Sequence, residues 1–264
     1  MSRFLIIPRL NELDKSLELA EKYGLGFEYN DFFVPDIMDD KKLADELISR
    51  YKAHELPDCC TMHGAFFDVL IFSEDKRIRQ VSEDRIRTSL DFARSLGVRG
   101  VVFHTNHTPA LTADFYINGW LNKNEAFWRG ILPEYPDINV YMENMFDNSP
   151  YMLAALAERL TDVHNFGVCL DYAHAVIYGS DINSWVAKLS PYIRHLHIND
   201  NDLKNDLHLA VGDGKIDWQA FKQSYDSCLC RADTALIETS SLENQQRSAE
   251  YLLGIDVDLR GNAL

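Results

Sequence analysis

Eight short apolar runs are spaced along the chain with amphipathic segments between them, and this repetition limits the fold more than any other feature of the sequence. Parallel strands cannot be joined by tight turns; each needs a crossover of about a dozen residues or more, usually a helix. A chain patterned this way from end to end belongs to the α/β class. The expected strands are 4–8, 26–29, 59–63, 100–104, 139–143, 167–171, 193–198 and 235–238. Apolar residues three and four apart mark helices over 12–23, 41–54, 75–96, 151–160 and 218–225, with Leu90, Ala93 and Leu96 on one face. Gly24 and Gly97 stand where helices should stop, and Pro150 where one should start. Eight such units close into a (β/α)8 barrel. The 264 residues exceed the usual ~100–200 per domain but suit one barrel, so a single domain over 1–264 is expected.

Composition narrows the function classes. Hydrophobic residues make up 46% and charged residues 25%, and no apolar run approaches the ~18 residues of a membrane span, so a soluble protein without a membrane partner is expected. The opening residues lack a signal-peptide pattern, which points to the cytoplasm. Five cysteines, Cys59, Cys60, Cys169, Cys228 and Cys230, contain no C-x-x-C spacing and are read as reduced, idle thiols. A net charge of −15 repels nucleic acid, which is therefore not expected as a partner. Carboxylates gathered to hold a cation would contribute to the same excess.

The strongest functional signal is where polar residues fall. His63, His104, Glu143, Asp171, His197 and Glu238 each end a different apolar run. In a closed barrel all six converge at the C-terminal mouth, where such folds build their active sites. Burying several carboxylates and imidazoles together is costly unless a divalent cation satisfies them at once. In Asp171-Tyr172-Ala173-His174 a carboxylate at a strand end precedes an imidazole by one turn. In the segment from Asp206 and His208 to Gly212 and Gly214, an alternating Asp and His pair precedes a Gly-x-Gly turn whose glycines allow backbone to approach a ligand. That turn does not follow a strand and open a helix, so a dinucleotide-binding reading is rejected. The stretches 105–136 and 199–217 are too long for simple connections and both follow strands at the mouth.

These motifs, together with Met62-His63-Gly64, Val101-Val102-Phe103-His104, Glu143-Asn144 and His195-Leu196-His197-Ile198-Asn199-Asp200, resemble the xylose isomerase-like TIM barrels over nearly the whole chain. That superfamily joins sugar isomerases and epimerases with endonuclease IV. Similarity to the epimerase branch implies one metal held by Glu143, Asp171, His197 and Glu238, with Glu143 and Glu238 as the catalytic proton acceptor and donor. Similarity to endonuclease IV implies a second metal on His63, His104 and Glu143, and a third on His174, Asp206 and His208. The cofactor expected from the resemblance is therefore Zn²⁺ or Mn²⁺, one to three ions per chain.

The segment after His63 and the acidic charge depart from the DNA-binding branch, so a sugar or sugar-phosphate isomerase or epimerase is the favoured expectation and a zinc phosphoesterase the alternative. The expected partner is a small sugar, with a homo-oligomer as a further expectation. His174, Phe66, Trp120 and Lys204 are the candidate substrate contacts; Leu203 and Lys204 stand where epimerases often carry an arginine. Glu28 is read as a support for His63, Trp128 as core, and His107, His164 and His195 as scaffold or surface residues.

Overall fold

The computed structural model describes residues 3–179 and 181–261. Eight strands form a closed barrel in sequence order, all pairs parallel: β1 Arg3–Ile6, β2 Gly26–Tyr29, β3 Cys60–His63, β4 Gly100–His104, β5 Asn139–Glu143, β6 Phe166–Asp171, β7 Ile193–Ile198 and β8 Thr234–Ile237. Around it lie α1 Leu13–Tyr23, α2 Pro35–Asp39, α3 Lys41–Lys52, α4 Lys76–Leu96, α5 Asp114–Ile131, α6 Tyr151–Arg159, α7 Tyr172–Tyr178, α8 Ile182–Leu189, α9 Trp218–Ser227 and α10 Leu242–Gly254. No helix among the described residues is long and apolar enough to cross a membrane.

The period-2 geometry of a strand divides each one between two environments. Phe4, Ile6, Phe27, Met62, Val101, Phe103, Val140, Met142, Val168, Leu170, Leu196 and Ile237 face outward and form one continuous core with the helices. The alternate residues point into the barrel, where Val102, Tyr141 and Cys169 make a small apolar cluster of their own. Above it the inward positions become polar: Glu28, Thr61, His63, Glu143, Asp171, His195 and His197 are all buried. Strand ends therefore deliver chemistry to one mouth while the outward face supplies stability.

Helix boundaries follow from capping. Gly24 and Gly97 adopt φ of 70° and 81° and return their N–H groups to the last turns of α1 and α4, as expected of glycine after a helix. The carboxylates of Asp40, Asp75, Asp171, Asp181 and Asp217 accept backbone N–H bonds at helix starts.

The sequence reading departs from the structure in four places. β1 ends at Ile6 rather than residue 8, since Pro8 has no N–H to continue a ladder. β8 ends at Ile237, which puts Glu238 one step beyond the sheet. The stretch 105–136 is mostly the 18-residue helix α5, whose aromatic-rich composition hid its period. Helices α2, α7, α8 and α10 were not among the expected segments.

Candidate metal centre

Glu143, the last residue of β5, is the hub. His63 at the end of β3 and His104 at the end of β4 each place Nε2 at 3.4 Å from Glu143 Oε2. The other oxygen, Oε1, is 3.4 Å from His197 Nδ1 and 3.6 Å from His174 Nδ1. Glu238 Oε2 reaches the same His197 nitrogen at 3.5 Å. Further out, Asp206 Oδ2 lies 3.3 Å from His174 Nε2 and 3.0 Å from His208 Nε2. Asp171 Oδ2 joins them at 3.4 Å from His174 Nδ1. All nine expected ligand positions thus form one connected cluster. Two compact groups within it, His63, His104 and Glu143, then Glu143, Asp171 and His197, each offer three ligand atoms within 4.8 Å of one another.

Three of the imidazoles are oriented by hydrogen bonds from their second nitrogens. A carbonyl only accepts, so Nδ1–H must donate where His63 meets Gly64 O (3.0 Å), His174 meets Asn144 O (3.0 Å) and His208 meets Glu238 O (3.1 Å). Each such bond leaves the Nε2 lone pair pointing into the cluster. His197 is turned the other way: its Nε2 is 3.1 Å from Glu28 Oε1, which frees Nδ1 for Glu143 and Glu238. Asp171 caps α7 by accepting His174 N–H on Oδ1 at 2.6 Å, so only Oδ2 is available to the centre.

What remains unpartnered tests the fit of a cation. Glu143 Oε2, Asp171 Oδ2, His197 Nδ1, Asp206 Oδ1 and Glu238 Oε2 are buried polar atoms with no hydrogen bond. Orphans of this kind are rare and costly in a packed interior. Mixed carboxylate and imidazole donors suit Zn²⁺ or Mn²⁺, so the residues fit a divalent metal.

Electrostatics carry the same message. Burial pushes the Glu143 carboxyl up, but the His197 and His104 imidazoles outweigh it and hold it well below the usual carboxylate range. Burial raises Asp171 to about 7 against the opposing charge of His174. His174 and His208 are lowered by burial, yet the surrounding carboxylates, Asp171 for the first and Asp206 for the second, bring them to about 10 and about 9. Without a cation, protons take its place on His174 and His208, whereas burial holds the His104 imidazole below its ordinary value.

The substrate candidates separate. Phe66 is half-buried at the mouth, its ring centroid 4.5 Å from that of His104 and 5.2 Å from that of His63. Trp120 does not line the mouth: it is 1% exposed, and its Nε1–H donates to Thr105 O at 3.2 Å. An indole that deep belongs to the α5 packing and is corrected to a structural role. Lys204 is exposed on the loop after β7 and approaches no carboxylate within 4.0 Å among the described residues.

Glu28 supports His197 and His195, not His63. Its Oε2 accepts from Thr61 Oγ1 at 2.6 Å and faces His195 Nε2 at 3.0 Å. His195 is fully buried inside the barrel, with Nδ1 at 2.6 Å from Thr234 Oγ1, whereas His164 is exposed as expected of a surface residue. The glycines of the Gly-x-Gly turn make room for the chain itself: a Cβ on Gly214 would sit 2.3 Å from Asp200 Oδ1 and from Asn201 O. Asp200 was the residue missed by sequence reasoning. It is buried and accepts four N–H donors that fix the loop carrying Asp206 and His208, and its place three residues after His197 was the available signal.

A family model described as a xylose isomerase-like TIM barrel matches residues 17–224. Probable endonuclease 4 of Halorhodospira halophila is 25% identical over 218 residues, covering 73% of this chain and 72% of its own. Fructoselysine 3-epimerase of Escherichia coli O157:H7 is 27% identical over 152 residues, 54% of this chain and 53% of its own. Among solved structures, the TTHB071 protein from Thermus thermophilus, soaked with ZnCl2, superposes with a TM-score of 0.74 at 23% identity, over 97% of this chain and 98% of that one.

Proposed function

The chain belongs to the xylose isomerase-like TIM barrel family, and from that premise we propose that it is a divalent-metal-dependent isomerase or epimerase of a sugar or sugar phosphate. The observation that carries this reading is the pair Glu143 and Glu238. Both place a carboxylate oxygen beside His197 Nδ1, at 3.4 and 3.5 Å, from the end of β5 and from just past β8. Glu143, Asp171, His197 and Glu238 would hold the ion. When bound, a divalent cation polarises a carbonyl and a neighbouring hydroxyl oxygen of the substrate and so acidifies the C–H between them.

The chain's own residues then do the proton work. One glutamate takes the proton from carbon, and the other returns one from the second side, which inverts the centre. Each keeps one oxygen without a hydrogen bond among the described residues, Glu143 Oε2 and Glu238 Oε2. Phe66 offers an apolar wall for the C–H face of the sugar, and the buried mouth limits competing proton exchange with water.

A second reading, a zinc phosphoesterase of the endonuclease IV type, is favoured by the additional clusters around His63 with His104 and around Asp206 with His174 and His208. One experiment separates them. Metal-loaded protein is incubated with a panel of ketoses and ketose phosphates in D2O, and separately with a duplex carrying an abasic site. We expect deuterium incorporation at carbon, no strand cleavage, and loss of exchange by a factor of ~10²–10⁴ in Glu238→Gln with the melting temperature retained. Exchange at the wild-type rate in that variant defeats the assignment of Glu238, and strand cleavage without exchange replaces the first reading with the second.

A further inference from the structure

On the face of the barrel that carries the candidate metal centre, the loops after β1 and β2 together with α3 line a cavity of about 310 Å³. Two guanidinium groups border it, from Arg9 and Arg50, together with the amides of Asn11 and Asn30. In a chain with 41 acidic and 26 basic residues, cations are usually claimed by carboxylates: Arg85, Arg87 and Arg129 all are. Neither Arg9 nor Arg50 has a carboxylate oxygen within 4.0 Å among the described residues. Their bonds go to carbonyls, Arg9 Nη2 to Ser240 O and Arg50 Nη2 to Leu10 O at 3.5 Å. Asn30 Oδ1 is buried without a hydrogen-bond partner.

One carboxylate shares the cavity, and it is already occupied. Asp31 accepts from the hydroxyl of Tyr51. Burial pushes its carboxyl up, opposed by that hydroxyl and by the charges of Arg9 and Arg50, which line the same cavity. Two positive groups against one negative leave the cavity cationic. A guanidinium fork matches the oxygens of phosphate or carboxylate better than a lysine does.

Placement ties the cavity to the chemistry. Ser240, which holds Arg9, is two residues beyond Glu238; Asn30 is two residues beyond Glu28, which holds His197. Two residues of chain span at most about 7 Å, so the backbone segments that carry Glu28 and Glu238 run from the centre toward the cavity and toward the carbonyl that holds Arg9. We propose that Arg9 and Arg50 bind the terminal oxyanion, phosphate or carboxylate, of an open-chain sugar whose reacting carbons lie at the metal centre. The proposal rests on the isomerase reading and replaces Lys204 as the anion contact.

The test is calorimetric titration of metal-loaded protein with D-ribulose, D-ribulose 5-phosphate and D-fructuronate, for the wild type and for Arg9→Gln, Arg50→Gln and Lys204→Gln, each verified as folded by circular dichroism. At least one anionic ketose should bind roughly tenfold tighter than the neutral one. Either arginine substitution should remove most of that advantage and leave the neutral ketose unchanged, while Lys204→Gln keeps it. The preferred anion identifies the oxyanion. Inorganic phosphate serves as a ketose-free probe that should weaken in the same two variants. Equal affinity for neutral and anionic ketoses, an advantage that survives both arginine substitutions, or no binding of any anion overturns the proposal. Because binding is read without turnover, a failed deuterium exchange with an intact anion preference would sink the isomerase reading alone.

Discussion

Asp200→Asn should unfasten the outer arm of the metal centre. The side chain is fully buried, and its Oδ1 accepts from Asn201 N at 2.8 Å and Ile216 N at 3.1 Å, while Oδ2 accepts from Gly212 N at 3.0 Å and Trp218 Nε1 at 2.7 Å. These four bonds draw together both ends of the loop that carries Asp206 and His208. Asparagine has nearly the same volume but only one acceptor oxygen, and its NH2 would face two donors. Losing two hydrogen bonds to a charged acceptor costs about 1.5–3 kcal/mol each, or about 3–6 kcal/mol together. At roughly 2–4 °C per kcal/mol for a chain near this size, the melting temperature should fall by about 6 °C or more. Thermal unfolding of metal-free protein followed by circular dichroism measures the fall directly, and zinc titration should show the loss of any ion that depends on Asp206 and His208. A melting temperature within ~2 °C of the wild type, with zinc stoichiometry unchanged, would refute the reasoning that Asp200 organises this loop.

Glu28→Gln removes the carboxylate that turns His197 Nδ1 toward the centre, and metal affinity should weaken ~10–100-fold in competition with a fluorescent chelator; unchanged affinity would mean that strand β7 alone sets the ring. In metal-free protein His174 and His208 titrate at about 10 and about 9 rather than near 6.5. A raised value stabilises the fold fully below the unfolded pKa and is lost as pH climbs through the folded one. The melting temperature with EDTA should therefore decline from pH 7 to pH 9 while that of the zinc-loaded protein stays level, and a level metal-free profile would count against protons filling the cation's place. Trp120→Phe forfeits the bond to Thr105 O, about 1 kcal/mol of stability, and should leave the substrate KM unchanged; a raised KM would return Trp120 to the sugar pocket.

The sequence made the residues gathered at the mouth legible because strand ends are easy to locate. An apolar run that stops on His or Glu marks both the edge of the sheet and the residue at the mouth, so His63, His104, Glu143, Asp171 and His197 could be named with little knowledge of loops. Glu238 followed from the same rule although it stands just past β8. What stayed hidden were the residues that act on ligands rather than on metal. Glu28 contacts His197 across the barrel from β2, a pairing of distant positions in the chain that only closure of the sheet creates. Trp120 was misread for the opposite reason: an aromatic in a stretch after β4 looked like a rim residue until α5 turned it inward. Asp200 escaped because an acidic residue near a metal motif invites a ligand reading, whereas its four backbone and indole donors make it a fastener.

The same ligand set can serve carbon chemistry or phosphoester chemistry, so the surroundings of the mouth have to discriminate. Nucleic acid needs a row of cations that follows successive phosphates, and its affinity falls steeply with salt as counterions return. Here the rim carries aromatic rings, with Phe67 and Phe146 stacked at 6.3 Å between centroids and each about half exposed. The guanidiniums of Arg9 and Arg50 belong to residues that line one cavity, although Arg50 also borders a neighbouring hollow with Lys41 and Lys42. A cationic cavity on the same face of the barrel as these rings suits, in the reading proposed above, a small sugar with one charged end, because aromatic faces cover its C–H surface while the charge is neutralised once. A weak dependence of binding on salt, near that of one neutralised charge, follows from this arrangement.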